Sequence, residues 1–258
     1  MSTSSASERA YDRDRAVVVS GIAILLLLSW TYTLWIASEV YGDAHGAFGP
    51  HAGRWGLADL AMVVVMWVVM MTAMMVPSVS STIVMFGEIS RKHGGAAHPV
   101  ASIWVFVVGY LIAWTVFSVG ATGAQWGLKE ASLMTSVMEV NSPSIGGAIL
   151  LSAGVFQFTP LKQACLRHCR SPLAFFMSSW RYGSLGALSM GVRHGIYCVG
   201  CCWALMAVMF VGGVMNPLWL TGLALFVLAE KLMPSGARFG QVGGIALIAA
   251  GAYLIIRF

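Results

Sequence analysis

Asp59-Leu60-Ala61-Met62-Val63-Val64-Val65-Met66-Trp67-Val68-Val69-Met70-Met71-Thr72-Ala73-Met74-Met75-Val76-Pro77 decides the fold. No charge falls between Asp59 and Pro77, and the run approaches the ~20 apolar residues that cross a bilayer as a helix. Six methionines occur within fourteen residues, and Met62, Met66, Met70 and Met74 recur at i+4 as a stripe on one helix face. Methionine fills irregular gaps between helices, which explains most such stripes. Thioethers are also soft ligands for Cu(I), with no proton to lose. Pro77 removes an amide donor, so this helix is expected to end or kink there. The polar stretch from Ser78 to His98 then reads as a loop.

Working outward, other apolar runs repeat the signal. The 258 residues are 58% hydrophobic and only 10% charged, against about 25% charged in a soluble domain. Seven spans can be drawn at 16–37, 57–77, 99–121, 143–163, 190–213, 216–232 and 241–257. They predict an all-α polytopic transmembrane helix bundle forming one domain over residues 1–258, with 1–15 as a polar cytoplasmic tail. The first run is longer than a signal-peptide core and is read as a helix that stays. With the N-terminus in the cytoplasm, 11 of the 15 basic residues fall on the inner side, Arg54, Lys129 and Arg257 fall outside, and Arg193 sits near a helix end. This places the chain in a bacterial inner (plasma) membrane. The net charge of +5 reports topology rather than nucleic-acid binding. No phosphate-binding loop or serine elbow is present, and no organic cofactor is expected.

The chemistry concentrates at Arg193-His194-Gly195-Ile196-Tyr197-Cys198-Val199-Gly200-Cys201-Cys202. In a helix, His194, Cys198 and Cys202 share a face at i, i+4 and i+8, with Cys201 beside them. Thiolate and imidazole are ligands of copper and zinc. One buried cysteine is usually packing, but three within five residues of one another, one turn from a histidine, point to metal. A second cluster follows the fourth span. Gln157 and Thr159 interrupt its apolar run, and then come Pro160, Lys162, Cys165, His168 and Cys169. Cys165 and Cys169 again share a face at i, i+4. Pro160 should break the helix and free a carbonyl near Phe156, as in broken helices that line buried sites.

The remaining candidates are weaker. His45 and His51, in the first outer loop, suit solvated surface histidines better than metal capture. Trp104, Tyr110 and Trp114 suit packing and interface aromatics. Residues 122–142 read as an outer segment with a short surface helix. Glu230 and Lys231 end the sixth span, either pairing with each other or anchoring it at the headgroups, and an acidic residue buried there would be functional. The glycines of the last span, Gly240, Gly243, Gly244 and Gly251, suit close helix packing.

Topology links these motifs. The second, fourth and sixth spans run inward, so Met70–Met75, Cys165–Cys169 and Glu230 lie toward the cytoplasm. The fifth runs outward, so His194 and Cys198–Cys202 lie in the same layer. Stable disulfides are disfavoured on that side.

Several of these stretches resemble the DUF2182 family of predicted metal-binding integral membrane proteins. They are Met70-Met71-Thr72-Ala73-Met74-Met75-Val76-Pro77, Phe156-Gln157-Phe158-Thr159-Pro160-Leu161-Lys162 with Cys165 and Cys169-Arg170-Ser171-Pro172, Cys198-Val199-Gly200-Cys201-Cys202-Trp203, Met215-Asn216, and Glu230-Lys231. The resemblance covers about Asp59 to Glu230 and implies a membrane protein that binds metal, without a specified reaction.

The expected function is membrane metal handling, with copper first and zinc second, for transport, storage or delivery. Expected ligands are Cys165, Cys169, His194, Cys198, Cys201 and Cys202. Met70, Met71, Met74 and Met75 would be auxiliary or first-contact ligands, supported from outside by His168, Gln157 and Glu230. Expected partners are the lipid bilayer, the metal ion and another membrane or metallochaperone protein, with no nucleic acid. A thiol-redox or electron-transfer protein and an assembly subunit are the alternatives. The seven-span topology predicts that a reporter fused at the C-terminus reads as external. A cytoplasmic reading would show that the sixth or seventh segment does not cross.

Overall fold

The computed structural model describes residues 2–42, 55–92, 99–135 and 137–257. Its helices are α1 (Ser2–Gly42), α2 (Leu57–Lys92), α3 (Pro99–Glu130), α4 (Pro143–Phe156), α5 (Pro160–Arg170) and α6 (Pro172–Ser179). They continue with α7 (Gly183–Ala207), α8 (Met209–Gly212), α9 (Pro217–Leu232) and α10 (Gly236–Arg257). Among the described residues there is no strand, only an isolated bridge between Met134 and Val140. The molecule is a helical bundle, as composition requires. His45, His51 and Arg54 lie outside the described residues, as do His93 and His98.

Among the described residues, five helices are long and apolar enough to cross a membrane, and a sixth span results if the bent pair α4–α5 is counted as one. The seventh apolar segment, α9, has 16 residues and spans about 24 Å. The best apolar windows of α2 and α7 are each 56% buried, whereas those of α1 and α10 are 22% and 17% buried. The motif-bearing helices are therefore central and the others peripheral. Leu27, Leu28, Val116 and Val242 on the periphery are exposed, which is compatible with lipid contact.

Three boundaries differ from the sequence reading. α2 does not stop at Pro77 but runs on to Lys92, with Pro77 inside it, so residues 78–92 are helix rather than loop. Such prolines persist where hydroxyls and neighbouring helices satisfy the disturbed backbone. The carbonyl that loses its partner at Pro77 is that of Ala73, and close by, Ser78 Oγ donates to the Met75 carbonyl at 2.8 Å and Tyr110 Oη donates to the same oxygen at 3.3 Å. The polar tail is helical and continuous with the first apolar run in α1. Residues 122–130 continue α3 instead of forming a surface helix.

The break at Pro160 is real. α4 and α5 meet at 64°, but the Phe156 carbonyl is not free. Thr159 donates to it through Oγ1 at 2.8 Å and through its amide at 3.1 Å. Thr159 also caps α5, accepting from the Lys162 amide, and Pro160 takes the first helical position, where no amide is needed.

Glycine sets the helix spacing. A methyl on Gly191 would strike the Phe106 carbonyl of α3, and one on Gly195 would lie 2.7 Å from Ala113 Cβ and 2.9 Å from the Tyr110 carbonyl. Across α4 and α10, Gly154 and Gly244 approach each other's carbonyls in the same way, as do Gly147 and Gly251. This is the small-residue packing expected of the last span. Because backbone rather than a pliable side chain blocks the space, Gly191→Ala should lower stability by about 2 kcal/mol or more, an overpacking cost. At Gly120 nothing lies within 4 Å, and Gly120→Ala should be neutral or stabilising by up to about 1 kcal/mol. Thermal unfolding in detergent measures both.

Candidate metal centre

The site lies where α2, α3, α5, α7 and α9 meet. Helical spacing puts the α2 methionines inside: Met66, Met70, Met71, Met74 and Met75 are each at most 1% exposed, whereas Met62 at the outer end of the stripe is exposed. They share one apolar core with Cys169, Cys198, Cys201 and Cys202.

On α7, the Cys201 and Cys202 thiols both donate back to the Cys198 carbonyl, at 3.1 and 2.9 Å. Cys201 Sγ lies 4.0 Å from Cys169 Sγ on α5. Two metal–sulfur bonds of ~2.3 Å can bridge that separation. Cys165 is the one cysteine only half-buried, and a Cβ on Gly200 would lie 2.8 Å from its sulfur. Thiols from both helices therefore meet along the Gly200–Cys201 edge of α7. All five cysteines are free. Among the described residues, no three His, Cys, Asp or Glu side chains are gathered as a group to hold a metal ion. The arrangement is a pair of sulfurs with further thiols and thioethers in the surrounding core.

Other expected site residues fall elsewhere. His168 is exposed and stacks on Tyr197 at 4.2 Å and 11°, away from the buried thiols. His194 is buried, but its ring sits among Phe106, Tyr110 and Phe175, and Nδ1 has no hydrogen-bond partner. Gln157 is fully buried and accepts from Lys162 Nζ, which also pairs with Glu230. Glu230 therefore supports α5 rather than touching a sulfur.

Polar residues that were not expected as ligands complete the site. Lys162 Nζ reaches the Glu230 carboxylate at 2.7 and 2.9 Å, with both side chains buried. Glu230 and Lys231 do not pair with each other. Consecutive helix positions point about 100° apart, so they turn to different partners. Lys231 Nζ donates to Ser78 Oγ and to Cys198 Sγ, each at 2.9 Å. Tyr110 Oη lies 3.1 Å from the same sulfur. Tyr110 is thus a polar contact of the site rather than only a packing ring. Gly240 makes room for the Glu230 carboxylate, which a methyl there would strike. Lysine and glutamate side by side at the end of an apolar helix were the available signal, together with a lysine just after a broken span.

A family model described as PpoB2, copper chaperone, matches residues 64–254. The chain belongs to that family. Comparison with curated proteins and with solved structures gives no match. The matched stretch contains all five cysteines, the buried methionines and both buried lysines, and it supports a copper-related function for the chain.

The buried ion pair yields a sign-specific prediction. Lys162→Met strands the Glu230 carboxylate and should cost about 3–5 kcal/mol, whereas the double variant Lys162→Met/Glu230→Leu should recover most of that loss. Thermal unfolding of the two proteins checks it.

Proposed function

We propose that this protein is an integral membrane copper chaperone that holds Cu(I) on its buried sulfurs and passes it to a partner protein. The observation that carries the reading is the 4.0 Å approach of Cys169 and Cys201 from different helices, in a core shared with Met70, Met71, Met74 and Met75. Soft sulfur donors favour Cu(I), and zinc is the second choice. Family membership favours delivery over storage or transport. The reading includes a bacterial inner membrane with the N-terminus inside. It also takes the DUF2182 resemblance and the copper-chaperone family as one grouping, since they cover nearly the same residues.

Cys169 and Cys201 are the principal ligands in this reading, with Cys165, Cys198 and Cys202 available for exchange. Cys165, half-exposed beside Gly200, is where an incoming or outgoing ion first meets a thiol. The methionines supply neutral sulfur, which binds without adding charge to the core. His194 contributes a buried nitrogen one turn from Cys198.

A thiol-redox role is the second reading, favoured by the same sulfur pair. A disulfide between Cys169 and Cys201 requires them to close to about 2.05 Å.

Detergent-purified protein loaded anaerobically should carry Cu(I) at a fixed stoichiometry near one. Cys169→Ser and Cys201→Ser should each weaken binding by about 100-fold or more, since each removes a thiolate, the form that ligates the metal. Replacing Met70, Met71, Met74 and Met75 together by leucine nearly conserves volume and should weaken binding while preserving the thermal transition. Metal-free protein that instead cycles a Cys169–Cys201 disulfide would replace the copper reading with the redox one.

A further inference from the structure

We infer that Lys231 makes the sulfur cluster selective for a monovalent soft cation held by two thiolates, against a divalent ion. The inference rests on the Cu(I) reading and adds a specificity-determining residue to it.

Three side chains of fixed charge type are buried around the cluster: Lys162, Glu230 and Lys231. Lys162 and Glu230 cancel each other through their ion pair. Among the described residues, Lys231 has no carboxylate partner, and its ammonium rests on the Ser78 hydroxyl and the Cys198 sulfur. The core therefore holds one positive charge that no carboxylate balances. An uncompensated charge in such a medium is costly.

Loading can supply the balance. When Cu(I) binds two thiols, two S–H bonds break, two Cu–S bonds form and two protons leave to solvent. No electron is transferred. The product, one metal charge against two thiolates, is a net −1 and cancels Lys231. The Cys169–Cys201 pair offers two such thiols, and the Cys198 carbonyl that accepts from Cys201 belongs to the residue whose sulfur Lys231 contacts.

A divalent ion on the same two thiolates forms a neutral complex and leaves Lys231 unbalanced. Balance would require a third thiolate, and the adjacent Cys198 sulfur is already engaged by Lys231 Nζ and Tyr110 Oη. The same count separates Lys231 from a residue that merely packs. Removing the ammonium penalises the anionic Cu(I) complex and leaves the neutral Zn(II) complex indifferent. Removing the Glu230 charge does the opposite, because the core then holds a second excess positive charge that the anionic complex relieves.

The test uses full-length protein in detergent. Affinities for Cu(I) and Zn(II) are measured separately by competition with colorimetric chelators, for the wild type, Lys231→Met, Lys231→Arg and Glu230→Gln. Lys231→Met should weaken Cu(I) binding by about 30-fold while Zn(II) affinity stays within about 3-fold. Lys231→Arg keeps the charge and should keep the wild-type ratio. Glu230→Gln keeps a carbonyl for Lys162 and should raise the Cu(I)-to-Zn(II) ratio. Misfolding would weaken both metals in both variants, so the opposite signs identify the charge effect. An unchanged ratio in Lys231→Met, or a Glu230→Gln shift in the same direction, overturns the inference while Cu(I) binding by the wild type still stands. A wild type that binds no Cu(I) removes both.

Discussion

Two adjacent residues at the end of one apolar helix must satisfy two opposite charges inside the bundle. Glu230 and Lys231 cannot face the same way on α9, so each recruits its own partner. Glu230 takes Lys162 and thereby holds α5 against α9. Lys231 takes Ser78 of α2 and Cys198 of α7. Three helices are thus positioned by the end of a fourth that carries no sulfur. Burying these groups is tolerable only because each has a specific partner. The polar contacts fix relative depth and rotation, which apolar packing alone leaves free.

Close packing does the rest. α7 lies against α3 through Gly191 and Gly195, and this approach brings Tyr110 to Cys198. α5 lies against α7 through the face of Gly200, which brings Cys169 to Cys201. The broken span is the device that permits this. A continuous helix through Pro160 would carry residues 160–170 away along the α4 axis, whereas the 64° bend turns the cysteines across the bundle.

The helical class and most of the spans were legible because apolar runs of bilayer length leave few alternatives. The meeting of the two cysteine clusters was legible as depth, since helix direction and rise fix which residues share a layer. Which cysteine meets which was not, because rotation about each helix axis depends on packing. Packing sets that rotation and leaves the Cys169 and Cys201 sulfurs 4.0 Å apart. The exposure of His168 was not legible, because i+3 proximity to Cys165 says nothing about burial. Lys162, Lys231, Ser78 and Tyr110 escaped because their types are commonest at surfaces and interfaces. Pro77 misled because a helix stop is only a local rule, overridden here where Met75, Val76 and Val79 on both sides of the proline are buried among neighbouring helices.

That uninterrupted α2 has a mechanical consequence. Its 36 residues extend about 54 Å, and a hydrocarbon layer is about 30 Å thick. Absorbing the excess by tilt alone would require an inclination beyond the roughly 0–40° that membrane helices adopt. Inserted in such a layer, α2 would project beyond it as a rigid strut, braced where Arg91 meets Asp14 of α1 at 2.8 Å. Ser78 sits partway along the same strut. A force applied at the projecting end is transmitted along continuous helix to the hydroxyl that seats Lys231.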